Sequence, residues 1–144
     1  GPGQALSYAA SSFAEQLARI EAGLCAPVIS VGNLEARRDL TDVRDTVRAY
    51  QQLMASGDTG APFNVCSGTA HQIQVVLDGL LAQARVEVTV RQDPERTRPS
   101  DNPLLLGDPA RLSRQTGWRP TIPLDRTLTD ILDYWRDAIA NTRT

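Results

Sequence analysis

The chain is 144 residues long, 41% hydrophobic and 22% charged, with a formal net charge of −2. That balance describes one ordinary folded domain with enough apolar material for a core, and it excludes a disordered tail. The near-neutral charge excludes a long-range pull on nucleic acid or on an anionic membrane, and no apolar run approaches the ~18 residues of a membrane span.

The first amphipathic stretch runs from about Ser7 to Ala22. Phe13, Leu17, Ile20 and Leu24 fall on one helical face, and Gly23 suits a left-handed cap. Pro27–Val31 is short and β-branched, and Gly32-Asn33 follows it, so a strand entering a turn is expected. Asp42 is a good N-cap for a second helix, on which Val43, Val47, Tyr50 and Met54 keep the helical period. Turn chemistry from Ser56 to Gly60 ends that helix.

Phe63-Asn64-Val65-Cys66 reads as a second buried strand. Thr69 and Gln72 have the spacing of a capping box for a third helix carrying Ile73, Val76, Leu77, Leu80 and Leu81. Val86–Val90 alternates strictly and reads as a strand. A polar, proline-containing stretch follows from Arg91 to Pro103. Asp108-Pro109 opens a short helix ending at Gly117, with proline expected at its first position. Trp118 is expected as a core anchor. The last helix carries Leu124, Leu128, Ile131, Leu132, Trp135 and Ile139 on one face. The order α-β-α-β-α-β-α-α in one domain gives an α/β fold class.

Several chemistries are missing from the chain. All fifteen basic residues are arginine. A Schiff-base lysine, a phosphate-loop lysine and a Tyr-x-x-x-Lys pair are therefore excluded within these residues. No glycine-rich dinucleotide loop follows a strand. His71 stands alone at an expected helix start and reads as a plain surface histidine rather than a zinc ligand. Neither a metal site nor a catalytic residue is expected. Cys25 and Cys66 do not make a disulfide framework, and Cys66 reads as a small buried thiol, so a reduced, cytoplasmic protein is expected.

Two constellations remain. In Val31–Asp45 a strand ends in a Gly-Asn turn, and Arg37 and Arg38 precede a helix among acids. A guanidinium is a planar fork of donors that matches phosphate oxygens. The same spacing equally suits a salt-bridge network of Arg37, Arg38 and Arg44 with Asp39, Asp42 and Asp45. In Arg96–Asp101, Pro99 holds Arg98 extended, and Arg98 with Asp101 could grip a phosphate and a ribose. A solvated turn is the other reading.

Six segments together resemble the C-terminal half of the extended short-chain dehydrogenase/reductases that act on nucleotide sugars. They are Gly1–Gln4, Val31–Asn33, Arg38–Asp45, Phe63–Gly68, Arg98–Asp101 and Gly117–Pro120. Within that family the run Arg38-Asp39-Leu40-Thr41-Asp42-Val43-Arg44-Asp45 is most similar to the GDP-4-dehydro-6-deoxy-D-mannose reductases. The GDP-mannose 4,6-dehydratases come next. They usually have tryptophan where Leu40 stands and a Thr-Arg-Lys run where Ala10-Ser11-Ser12 stands.

The resemblance implies that residues 1–144 form a nucleotide-sugar-binding domain whose Rossmann half, carrying NAD(P) and the catalytic pair, precedes Gly1. This chain alone would then bind no cofactor. The resemblance further implies that Arg38 and Arg98 contact the diphosphate of a GDP-sugar and Asp101 the ribose. Val31 and Asn33 would border the guanine, and Ala9 and Ser12 would face the nucleotide. Asp42 and Arg44 would be structural. A homo-oligomer is expected. Three functions stay open: a reductase of the 4-keto sugar, a dehydratase or epimerase of the same fold, and a non-catalytic nucleotide-binding or interaction module.

Overall fold

The computed structural model describes residues 1–56, 60–96 and 102–142. In chain order the elements are α1 (Ala9–Glu21), β1 (Val28–Val31), β2 (Arg37–Asp39), α2 (Val43–Ser56), β3 (Ala70–Gln72), α3 (Ile73–Leu81), β4 (Thr89–Gln92), a 3-10 turn over Pro94–Arg96, β5 (Leu104–Leu105), α4 (Ala110–Thr116) and α5 (Leu124–Thr142). The class is α/β, but the strands are short and lie in two small sheets. β1 pairs in parallel with β4, Val28 opposite Thr89 and Val31 opposite Gln92. β2 lies between β3, to which it runs antiparallel, and β5, to which it runs parallel.

The main core is a three-helix wrap around β1. Phe13, Ala14 and Leu17 of α1, Val76, Leu77 and Leu80 of α3, and Leu128, Ile131 and Leu132 of α5 close over Ile29 and Val31. These are the apolar positions at helical spacing, so the periodicity located the core correctly. Leu24 is an exception. α1 stops at Glu21, Gly23 takes φ +69°, and Leu24 turns out to solvent. On the outer edge of β1 the amide of Gln16 accepts from Ser30 N–H at 2.9 Å and donates to Ser30 C=O at 3.2 Å. A smaller cluster holds Trp118 with Ala49 and Leu112, and the Trp118 indole N–H donates to Asp45 C=O at 2.9 Å.

Buried acids join the two clusters. Asp42 caps α2 by accepting from Arg44 N–H, takes two further bonds from the Arg44 guanidinium at 2.8 Å each, and accepts from Thr127 Oγ1. The Arg44 hydrogen bonds, followed by the Thr127 bond, hold its carboxyl well below the usual range against the cost of burial. Asp45 accepts from Thr121 N–H, Ile122 N–H, Thr121 Oγ1 and Arg48. Burial pushes the Asp45 carboxyl up, but those bonds outweigh it and the net shift is downward. Asp42 and Arg44 are thus structural, as their place in the sequence implied.

Four sequence expectations are corrected. Phe63–Cys66 forms no strand among the described residues. The Thr69–Gln72 capping box does not form, because Ala70–Gln72 joins β2 as β3 and α3 starts without a side-chain cap from Gln72. The strand expected at Val86–Val90 begins at Thr89, where the β1 register places it. Pro109 occupies the N-cap of α4 instead of its first helical position, and Asp108 Oδ1 accepts from Ala110 N–H.

Helix α2 breaks the pattern of the others. Its periodic residues Val43, Val47, Tyr50 and Met54 are 47%, 48%, 56% and 90% exposed. The opposite face, through Ala49, is the one buried within the domain.

Candidate functional site

The parallel pair β1–β4 directs both of its carboxyl ends to one edge of the domain. In open α/β sheets that edge is where ligands bind, because the loops leaving the strands there bound a crevice. β1 delivers Gly32-Asn33. β4 delivers Asp93 and the Pro94–Arg96 turn, tied to β1 by Asp93 N–H donating to Val31 C=O at 2.8 Å. The turn is closed by Glu95 N–H to Asp93 Oδ1 at 3.0 Å and by Arg96 N–H to Asp93 C=O at 3.0 Å. The Arg96 backbone carbonyl rests on Gly32. Its guanidinium reaches α1 and donates to Ser12 Oγ at 3.3 Å.

The neighbouring sheet brings Arg38. Arg37 N–H donates to Pro103 C=O at 2.8 Å, and Arg38 Nη1 lies 3.5 Å from the same oxygen and 2.8 Å from Arg37 C=O. Arg96 is thus braced on Ser12 and Gly32, and Pro103 lies beside Arg38. Arg98 and Asp101 themselves lie outside the described residues.

The acids beside these arginines are engaged elsewhere. Asp39, one residue from Arg38 and so on the other face of the strand, accepts from Ser67 N–H, Ser67 Oγ, Gly68 N–H and Gly107 N–H at 2.5 to 3.3 Å. Arg44 bridges Asp42 and Asp130, and Asp45 holds Arg48. Of the alternative network of Arg37, Arg38 and Arg44 with Asp39, Asp42 and Asp45, the Arg44–Asp42 pair forms, while Asp39 and Asp45 take other partners. Arg37 is exposed and donates to Ala70 C=O.

Among the remaining sequence candidates, Asn33 sits at the turn. Its Oδ1 accepts from Glu35 N–H at 2.9 Å. Val31 is buried in the core, and its carbonyl is taken by Asp93, so its side chain forms no open wall. Ala9 packs against the core, while Ser12 faces Arg96.

A cavity of about 390 Å³ is lined by Gly1, Gln4, Thr41, Ser67, Thr69 and His71 with Ile122, Leu124 and Leu128, and Ser12, Gly32, Asn33, Arg38 and Arg96 are not among its lining residues. His71 is not at a helix start. It lies in β3 opposite Arg38, half-buried, with one wall of the cavity. Sequence reasoning missed it because β2 and β3 are each three residues long, too short for a periodic signal. Cys66 is also half-buried, and burial followed by the nearby Asp39 charge raises its thiol pKa. Arg96 opens the Arg96–Asp101 constellation, but its spacing alone gives it no role.

The model of the family described as GDP-mannose 4,6 dehydratase matches residues 1–131. The chain belongs to that family. It is 39% identical to GDP-6-deoxy-D-mannose reductase of Pseudomonas aeruginosa over 96% of its own length and 46% of that protein's. A solved structure of RMD from Pseudomonas aeruginosa complexed with NADPH superposes with a TM-score of 0.89 at 38% identity, covering 96% of this chain and 46% of that one. GDP-mannose 4,6-dehydratase of Vibrio cholerae serotype O1 is 22% identical over 91% of this chain and 42% of its own length. The chain thus spans about half the length of the relatives it matches. Among the described residues, no helix is long and apolar enough to cross a membrane.

Proposed function

We propose that residues 1–144 are the nucleotide-sugar-binding domain, in the C-terminal half, of an NAD(P)-dependent reductase. The intact protein reduces the 4-keto group of GDP-4-dehydro-6-deoxy-D-mannose. The observation that carries this reading is the 39% identity with a GDP-6-deoxy-D-mannose reductase over 96% of the chain. The geometry supports it: Arg96, at the end of the β4 turn, lies against Gly32, and Pro103 lies beside Arg38. In this reading Arg38 and Arg98 bind the diphosphate and Asp101 the ribose, while Asn33 and Ser12 border the nucleoside.

The residues of this chain do not fit a dinucleotide. They include no glycine-rich loop after a strand and no lysine. In this reading NAD(P) is held by the rest of the intact protein. The outward face of α2 and the unpaired segment Phe63–Cys66 are what that remainder covers. Burying the four apolar side chains of α2 would be favourable at roughly 25 cal/mol per Å² of apolar surface.

The family description favours one second reading, a GDP-mannose 4,6-dehydratase. Incubation of the full-length protein with each substrate decides. The reductase reading expects NADPH to be consumed with the 4-keto GDP-sugar and GDP-mannose to be left unchanged. Conversion of GDP-mannose to a keto sugar without net NADPH use would overturn it in favour of the dehydratase.

A further inference from the structure

We infer that Arg96 reads the base of the bound nucleotide and selects guanine; this rests on the reading above that the site takes a nucleoside diphosphate sugar. The first argument is position. The turn that carries Arg96 is fixed at both ends, by Asp93 N–H on Val31 C=O and by the Arg96 carbonyl on Gly32. Its α-carbon is therefore held at the carboxyl ends of β1 and β4, against the Gly32-Asn33 turn.

The second argument is availability. The arginines that serve the fold hold carboxylates tightly: Arg44 has Asp130 at 2.7 Å and Asp42 at 2.8 Å, and Arg136 has Glu21 at 2.8 Å. Arg96 has Asp93 at 3.5 Å and a neutral hydroxyl, Ser12, at 3.3 Å, with 49% of its side chain exposed. Long bonds to an exposed cation contribute little and exchange readily for a better acceptor.

The third argument is chemistry. Arg96 offers a planar fork of N–H donors, and Asn33, in the turn whose Gly32 meets the Arg96 carbonyl, carries an amide NH2 with two more, its oxygen being engaged by Glu35 N–H. A donor-lined turn matches a base with two adjacent acceptors on one edge. Guanine has O6 and N7 there, whereas adenine pairs one acceptor with an amino donor. In uracil the two carbonyl oxygens are separated by the N3–H donor. On binding, Arg96 would exchange Ser12 Oγ for that edge.

The test titrates the full-length protein and its variants with GDP, ADP and UDP by calorimetry. Wild type should prefer GDP. Arg96→Met keeps the aliphatic stem and removes every donor. It should lose on the order of tenfold or more in GDP affinity, with ADP and UDP held within about twofold. Arg96→Lys keeps the charge without the fork and should not restore the preference. Equal losses for all three nucleotides, rescue by lysine, or no loss at all would overturn the inference, since these mark a phosphate contact or a bystander. Arg98→Ala separates the two levels. If it weakens all three nucleotides while Arg96→Met does nothing, base reading by Arg96 fails and the nucleotide site stands. If wild type binds no GDP, both fail.

Discussion

A methyl group on Gly32 would lie 2.3 Å from the carbonyl oxygen of Arg96. The opposing atom is backbone, so no rotamer change relieves the clash, and the turn after β4 has to move. Gly32→Ala is therefore expected to cost about 1–3 kcal/mol of stability, as overpacking does. It should also weaken nucleotide binding in the intact protein by displacing Arg96 and the segment behind it. Thermal melts and GDP titration check both effects. Unaltered GDP affinity would show that the turn does not shape the site.

The diphosphate assignment makes a second prediction. Charge-assisted hydrogen bonds contribute roughly 1.5–3 kcal/mol each, so Arg38→Ala and Arg98→Ala should each weaken GDP-sugar binding about 10- to 100-fold. NADPH affinity should be unchanged. Arg37→Ala, on the exposed neighbour of Arg38, should have little effect. A GDP-bound structure that places the Arg38 and Arg98 guanidinium groups on opposite faces would defeat the assignment.

The 144 residues expressed alone should bind no NADPH in a calorimetric titration, and micromolar affinity would refute this. They should also self-associate through α2, because contiguous exposed apolar side chains drive association. Replacing Val47 and Met54 with glutamate should shift light scattering toward monomer. A clean monomer of the unaltered chain at high concentration would show that this face is not adhesive.

The pH dependence of stability follows from three carboxylates whose values are lowered on folding: Asp42 and Asp45 from 3.8, and Glu21 from 4.5. At Glu21, burial acts upward and is outweighed by hydrogen bonds from Arg136 and Arg85 N–H. Lowered folded-state values mean that their stabilisation is fully present above about pH 5. As pH falls the unfolded chain takes up protons first, and the contribution is lost until the folded groups also protonate. Urea unfolding followed down the acid limb should show this loss. Asp45→Asn should flatten it and lower stability at neutral pH by about 2–4 kcal/mol, since Asp45 is fully buried with four donors.

Long periodic stretches were legible in the sequence. The faces of α1, α3 and α5 were read from Phe13, Leu17, Val76, Leu80, Leu128 and Ile131, because 3.6-residue spacing over several turns is a strong signal. The same period on Val43, Val47, Tyr50 and Met54 located α2 but not what it faces, since periodicity reports an apolar stripe and not its partner. Strands β2, β3 and β5 were illegible: two or three residues carry no alternation, and their pairing is decided by segments far away in the chain. At the site, Arg38 and Asn33 stood out by motif. Arg96 and His71 did not, because Arg96 depends on the approach of Gly32 and His71 on a strand register.

The amide of Gln16 also closes one edge of the β1–β4 sheet. An uncovered strand edge is a template on which another chain can add, the usual start of fibrillar aggregation. With both polar groups of Ser30 already engaged by Gln16, an incoming strand meets no free partner at the centre of the outer β1 edge. A single side chain thus guards the most hydrophobic strand of the domain, and Gln16→Ala would be expected to raise aggregation before it altered anything at the nucleotide site.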